Sequence, residues 1–238
     1  LTSKGGDSGT RCRVTEWIRT SGAVLDAWLT EGRFATAFRS GFAEAAGREA
    51  AALVGSGSQA NLLATAALMS PLHERPLVPG DEVITPAVGF PTTINPAIQL
   101  GLKPVFVDVE VDTLNPTTAQ FAEAIGPRTR AIFAAHCLGN PFDAAALAAL
   151  CADRDIVLVE DCCDALGSTL DGRLVGTFGA LAADAGCPAR PGRPAVGGVG
   201  RVGRPRAGAA HEAAVPGSAQ TDAAVPARHA AACGRLRA

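Results

Sequence analysis

Val157-Leu158-Val159-Glu160-Asp161-Cys162-Cys163-Asp164-Ala165-Leu166-Gly167 is the stretch on which the reading of this chain turns. Its apolar run is too short for a helix, is rich in branched residues and stops abruptly at two acids, so it predicts a buried parallel strand ending at Asp161. In open α/β sheets ligands bind beyond the carboxyl ends of the strands. Asp161 therefore stands where a carboxylate can meet a ligand. It can equally cap the next helix, and the segment alone leaves both readings open.

Upstream the same alternation repeats. An alanine-rich helix is expected over 143–152, a strand over 130–135 ending at His136, a helix over 117–125 and a strand over 104–109 with Asp108 near its end. Residues 80–86 read as a turn and a short strand, after which Gly89-Phe90-Pro91 opens a helix through Ile98, with proline tolerated in the first turn. Strands alternating with helices predict an α/β fold, a mainly parallel sheet with helices on both faces. Before these, Val24, Leu25, Trp28 and Leu29 fall at helical spacing, and Phe34, Phe38 and Phe42 repeat every four residues. That aromatic stripe is expected to face the core.

A second candidate site lies at 55–61. The segment 51–54 is short and apolar, and Gly55-Ser56-Gly57-Ser58-Gln59-Ala60-Asn61 then feeds the strong helix former 62–69. A glycine-serine turn at a helix N-terminus leaves backbone N–H groups and a positive dipole end facing outward, which is a seat for phosphate. Capping by Ser56 or Ser58 is the simpler account, and the spacing matches neither the dinucleotide fingerprint nor the P-loop.

Composition narrows the function classes. The net charge of -2 gives no support to nucleic-acid binding or to a polybasic membrane role. No apolar run is long enough to span a bilayer and residues 1–10 carry no signal-peptide core, so a cytoplasmic protein is expected. Seven cysteines without a disulfide-framework spacing fit reduced thiols. Lysine occurs only at Lys4 and Lys103, which limits any chemistry that requires an amine.

Past Ala182 the character changes. Of the 56 residues 183–238, 40 are Ala, Gly, Pro or Arg, too few large apolar side chains to offset ordering entropy. Three parts are therefore expected: an unassigned N-terminal arm over 1–22, a ligand-binding α/β domain over 23–182 that is incomplete at its C-terminus, and a disordered tail over 183–238.

Taken in order, Val54-Gly55-Ser56-Gly57-Ser58-Gln59-Ala60-Asn61-Leu62, Pro79-Gly80-Asp81-Glu82-Val83-Ile84-Thr85, Gly89-Phe90-Pro91-Thr92-Thr93, Val105-Phe106-Val107-Asp108-Val109, His136-Cys137-Leu138-Gly139-Asn140-Pro141-Phe142-Asp143 and Glu160-Asp161-Cys162-Cys163-Asp164-Ala165-Leu166-Gly167 resemble the DegT/DnrJ/StrS sugar aminotransferase family. Within it, Gly-Asn-Pro-Phe-Asp and Asp-Cys-Cys-Asp look most like the RfbH type, the CDP-4-keto-6-deoxyglucose 3-dehydrases of deoxysugar and lipopolysaccharide biosynthesis. The resemblance implies the large domain of a fold-type I, vitamin B6-dependent enzyme. It implies that Gly57 and Ser58 bind the phosphate of pyridoxamine or pyridoxal phosphate, that Phe90 stacks on the pyridine ring, and that Asp161 pairs with the pyridinium nitrogen. It further implies a nucleotide-sugar substrate, a homodimer, a reductase partner and a two-iron, two-sulfur cluster with Cys163 as its first ligand.

Two departures from the family pattern bear on activity. The position where the family carries lysine, or histidine in the 3-dehydrases, falls on Arg190, which stays protonated near neutral pH and is no ordinary base. The later cysteines, Cys187 and Cys233, are isolated and no Cys-x-Cys pair follows, so the four-thiolate site is incomplete. The expected function is a fragment of a B6-dependent C-3 dehydrase acting on a CDP-4-keto-6-deoxyhexose, inactive as written. A nucleotide-sugar aminotransferase relative and a noncatalytic α/β binding or oligomerisation protein remain as alternatives.

Overall fold

Alternation of side chains along short branched strands builds the centre of this molecule. The structure, a computed structural model, describes residues 21–22, 24–26 and 30–185, together with the backbone of 186 and 196–202. In chain order the elements are α1 (Arg33–Ala45), β1 (Ala50–Leu53), α2 (Gly57–Leu68), β2 (Glu82–Pro86), α3 (Pro91–Gln99), β3 (Lys103–Val107), α4 (Thr118–Ala124), β4 (Thr129–Ala135), α5 (Ala144–Arg154), β5 (Val157–Asp161), the small ribbon β6 (Thr169–Leu170) and β7 (Arg173–Leu174), then β8 (Leu181–Gly186) and β9 (Val196–Val202).

The main sheet has seven strands in the order β1-β9-β8-β5-β4-β2-β3. Strands β3, β2, β4, β5 and β8 run parallel. Strand β9 is antiparallel to both β8 and β1. Because successive side chains in a strand point to opposite faces, Ile84, Ile132, Ala134 and Leu158 pack with Phe121 of α4 and Leu147 of α5. Their neighbours Val83, Ala131, Phe133 and Val159 pack on the other face with Ala64 and Leu68 of α2 and Ala97 of α3. The chain passes from β2 outward to β3 and then back to β4 on the other side of β2. That reversal opens a crevice at the carboxyl ends of the central strands.

The mainly parallel sheet with helices on both faces is as the sequence predicts. One expectation is corrected in part. Of the stripe on α1, Phe42 packs against the small core cluster of Ala43 and Ala51, while Phe34 and Phe38 are 39% and 40% exposed. Helix α1 lies against β1 at one edge of the sheet, and Arg33 at its start pairs with Asp26 at 2.9 Å. Val24 and Leu25 are exposed as well, and Trp28 and Leu29 lie outside the described residues.

Two strands extend past Ala182. Strand β8 runs on to Gly186 and β9 adds residues 196–202 to the sheet, inside the stretch read as tail. Helix α2 lies close above β8. A Cβ added to Gly57 of α2 would lie 3.1 Å from the Cβ of Ala185. Backbone pairing and small-residue packing replace the bulky apolar side chains that the composition lacks. The arm over 1–20, and residues 187–195 and 203–238 of the tail, lie outside the described residues.

Candidate ligand site at the strand ends

The turn before α2 supplies the first wall of the site. Ser56 takes an extended conformation and its hydroxyl accepts from the Gln59 N–H at 3.2 Å, while the Gln59 side chain accepts from the Gly55 N–H at 2.6 Å. This reciprocal cap satisfies the flanking groups and leaves the Gly57 and Ser58 N–H groups without a partner among the described residues. They stand at the positive end of a 12-residue helix. Glycine at position 57 has a steric cause: a Cβ there would lie 2.6 Å from the Cys163 sulfur.

Strand β5 supplies the floor. Asp161, at its last position, is 5% exposed. Its Oδ2 accepts from Asn61 Nδ2 of α2 at 2.8 Å and from the Thr93 hydroxyl of α3 at 2.6 Å, and its Oδ1 accepts from the Cys163 N–H at 3.1 Å. The loop after β2 brings Phe90, which caps α3 ahead of Pro91 and leaves its ring 68% exposed. Gly57, Ser58, Phe90 and Asp161 all line one cavity of about 440 Å³, with His136, Cys137, Cys163 and Asp164 among its other residues. Backbone at the rim is strained, since Leu114 and Leu138, which also line the cavity, have φ of 55° and 51°.

Behind the cavity sits a buried polar network that sequence reasoning missed. Glu160 points to the face opposite Asp161 and is fully buried. Its oxygens accept from the N–H groups of Gly176, Phe178 and Gly179 at 2.7, 2.8 and 2.6 Å, and meet His136 Nε2 at 3.2 Å. Arg48, also fully buried, donates to the carbonyls of Gly176 at 2.6 Å and Gly179 at 2.8 Å, with its guanidinium 3.9 Å from Glu160. Burial pushes the Glu160 carboxyl up; the His136 hydrogen bond, the Gly179 and Gly176 donors and the His136 charge outweigh it, holding the group below its ordinary value. His136 stacks flat on Phe142 at 4.2 Å, and its backbone N–H donates to the Asp161 carbonyl at 3.1 Å. The network thus braces the strand ends from below. The acid adjacent to Asp161 on the other strand face was the available signal, but its partner Arg48 is 112 positions away in sequence and no local pattern announces it.

Metal chemistry finds little support in these side chains. His136, Glu160 and Cys162 bring ligand atoms within 4.8 Å of one another, yet the Glu160 oxygens already accept several N–H donors and face a buried arginine, a poor setting for a cation. Cys163 is not in that group, and no group of three ligand atoms built on it occurs among the described residues. Its thiol is pushed up, first by burial and then by the charge and hydrogen bond of Asp161, so it holds its proton. An iron–sulfur cluster does not fit the described residues. Lys103 opens β3 at the amino ends of the strands, opposite the cavity, and Lys4, Cys187, Arg190 and Cys233 fall outside the described residues. Among the described residues no helix is long and apolar enough to cross a membrane.

Comparison with known proteins places this arrangement. Residues 13–185 match the profile of the DegT/DnrJ/EryC1/StrS aminotransferase family. A dTDP-4-dehydro-2,6-dideoxy-D-glucose 3-dehydratase from Saccharopolyspora spinosa is 53% identical over 186 residues, covering 72% of this chain and 40% of the relative. The lipopolysaccharide biosynthesis protein RfbH of Salmonella typhimurium is 50% identical over 168 residues, covering 70% of this chain and 38% of the relative. Among solved structures, the E. coli GDP-4-keto-6-deoxy-D-mannose-3-dehydratase with bound hydrated PLP superposes with a TM-score of 0.70 at 33% identity, covering 85% of this chain and 50% of that one. The chain therefore spans about 40% of the length of the curated relatives it matches.

Proposed function

The chain belongs to the DegT/DnrJ/EryC1/StrS aminotransferase family, and from that premise we propose that it is the cofactor-binding portion of a vitamin B6-dependent nucleotide-sugar 3-dehydratase. The observation that carries the reading is the meeting of Gly57, Ser58, Phe90 and Asp161 on one cavity. Each suits a different part of pyridoxamine or pyridoxal phosphate. The unpartnered N–H groups of Gly57 and Ser58 bind the phosphate at the α2 N-terminus. Phe90 offers an open aromatic face to a flat, electron-poor ring. Asp161, an acceptor held by three donors, takes the ring N–H and keeps it protonated. When bound, the cofactor supplies an electron sink for carbanion chemistry at the sugar carbon joined to it.

The substrate class follows the relatives, whose names specify 4-keto (4-dehydro) deoxyhexoses linked to nucleotides. A CDP-4-keto-6-deoxyhexose, losing its C-3 hydroxyl, is the substrate proposed here, in deoxysugar or lipopolysaccharide biosynthesis. A homodimer and a reductase partner complete the reading, and four free cysteines among the described residues suit the reducing cytoplasm. The ligand-binding domain is read over 23–182, its sheet continued by β8 to Gly186 and by β9.

As written, the chain binds cofactor without turning over. Arg190 takes the register of the residue that moves the proton, and Lys103, the one lysine among the described residues, is at the wrong end of the sheet. Loss of a proton-transfer residue removes about two to four orders of magnitude in rate. The test is a paired one on the purified chain. Pyridoxamine phosphate should bind stoichiometrically by absorbance and fluorescence, while a CDP-4-keto-6-deoxyhexose with reductase and NADH should give no dehydration above background. Absent binding refutes the cofactor assignment; robust turnover refutes the inactivity.

A further inference from the structure

Asp161 carries more hydrogen bonds than holding a buried carboxylate in place requires, and two come from different helices. Asn61 on α2 and Thr93 on α3 both donate to the same oxygen, Oδ2, at 2.8 and 2.6 Å. Both donors are buried, at 4% and 5% exposure, and Thr65, one turn further along α2, anchors its hydroxyl on the Asn61 carbonyl at 2.8 Å. A carboxylate oxygen has two lone pairs. Oδ2 is therefore filled by these two side chains, whereas Oδ1 receives one N–H, from Cys163 at 3.1 Å. One strong acceptor position is left, and it is on Oδ1.

We propose that Asn61 and Thr93 are positioning residues that saturate Oδ2 of Asp161 and so direct its remaining lone pair on Oδ1 to a ligand ring N–H. The inference rests on the reading of Asp161 as the partner of a protonated pyridine nitrogen, and it deepens that reading by naming what selects a ring bearing N–H over one that lacks it. Two rigid elements meet at one oxygen: α2 carries the phosphate seat at its start, and α3 carries Phe90 at its cap. Fixing Asp161 against both ties the ring-nitrogen contact to the phosphate and ring contacts in a single geometry.

The experiment compares two ligands on the full chain: pyridoxamine phosphate and its 1-deaza analogue, in which ring nitrogen is replaced by carbon. Dissociation constants are measured by fluorescence for the unsubstituted protein, Thr93→Val, Asn61→Leu, Thr93→Ser and Asp161→Asn. A hydrogen bond to a charged group is worth about 10-fold or more in affinity. Thr93→Val and Asn61→Leu should each weaken pyridoxamine phosphate by about 10-fold while leaving the deaza analogue within about 2-fold, and Thr93→Ser should restore the preference. Equal losses on both ligands, or none, overturn the positioning role. If Asp161→Asn also fails to change the preference, the cofactor reading itself falls. Selectivity that is lost in Asp161→Asn and kept in Thr93→Val and Asn61→Leu sinks the inference alone.

Discussion

Replacing Gly57 by alanine tests the close contact between α2 and the end of β5. At the first helical position alanine should gain up to about 1 kcal/mol over glycine by propensity. Against that, the new methyl carbon would sit 2.6 Å from the Cys163 sulfur and 3.1 Å from the Ala185 Cβ. The sulfur contact is shorter than real Cβ contacts reach, so something must shift, and overpacking costs about 1–3 kcal/mol. The net loss should be about 1–2 kcal/mol, or roughly 2–8 °C in Tm for a domain of this size. Because α2 must move outward to relieve the overlap, the Ser58 N–H moves with it and pyridoxamine phosphate affinity should fall as well. Gly57→Ala with Cys163→Ala removes the sulfur, and most of the stability and affinity should return, with a coupling of about 1 kcal/mol between the positions. The assay is urea denaturation with ligand titration on the two single variants and the double. A Gly57→Ala protein of unchanged stability, or a loss that Cys163→Ala does not relieve, would show that the packing argument is wrong.

Two further predictions concern the groups around this contact. Glu160→Gln removes a buried charge that accepts three backbone N–H donors and faces Arg48 at 3.9 Å, and should lower stability at neutral pH by about 3 kcal/mol in urea melts. The Glu160 carboxyl is held below its ordinary value of 4.5 in the fold, so its contribution is present above that pH and is lost as pH falls through the folded value. Acid denaturation of the unsubstituted protein should accordingly be steeper below about pH 4.5 than that of Glu160→Gln; identical acid limbs would contradict this. Among the thiols, burial pushes Cys151 up to about 12 and also raises Cys163, so site-resolved alkylation at pH 8 should be slow at both. Added pyridoxamine phosphate should slow Cys163 further and leave Cys151 unchanged, since Cys163 lines the cavity and Cys151 does not.

What the sequence discloses and what it hides follow from the range of the interactions. Asp161, Gly57, Ser58 and Phe90 are legible because each sits at a strand end, a helix start or a proline-marked cap, where local pattern fixes position. Asn61 and Thr93 are not, because their contact with Asp161 spans 100 and 68 residues of chain. The pairing of Arg48 with the 176–180 loop spans 128 or more. The Phe34 and Phe38 stripe shows the opposite limit: periodicity identifies a helix face, but it carries no information about what covers that face. Strand β8 is hard to read from composition since alanine has low strand propensity, while the closeness of α2 at Gly57 and Ala185 suits small residues there.

The central claim is that one cavity at the strand ends holds a B6 cofactor by its phosphate, ring face and ring nitrogen. A crystal structure of the full chain soaked with pyridoxal phosphate tests it most directly. The account expects the phosphate within hydrogen-bonding distance of the Gly57 and Ser58 N–H groups, the ring against Phe90, and its nitrogen at Asp161 Oδ1. Density elsewhere, or a phosphate bound with the ring turned away from Asp161, would contradict it.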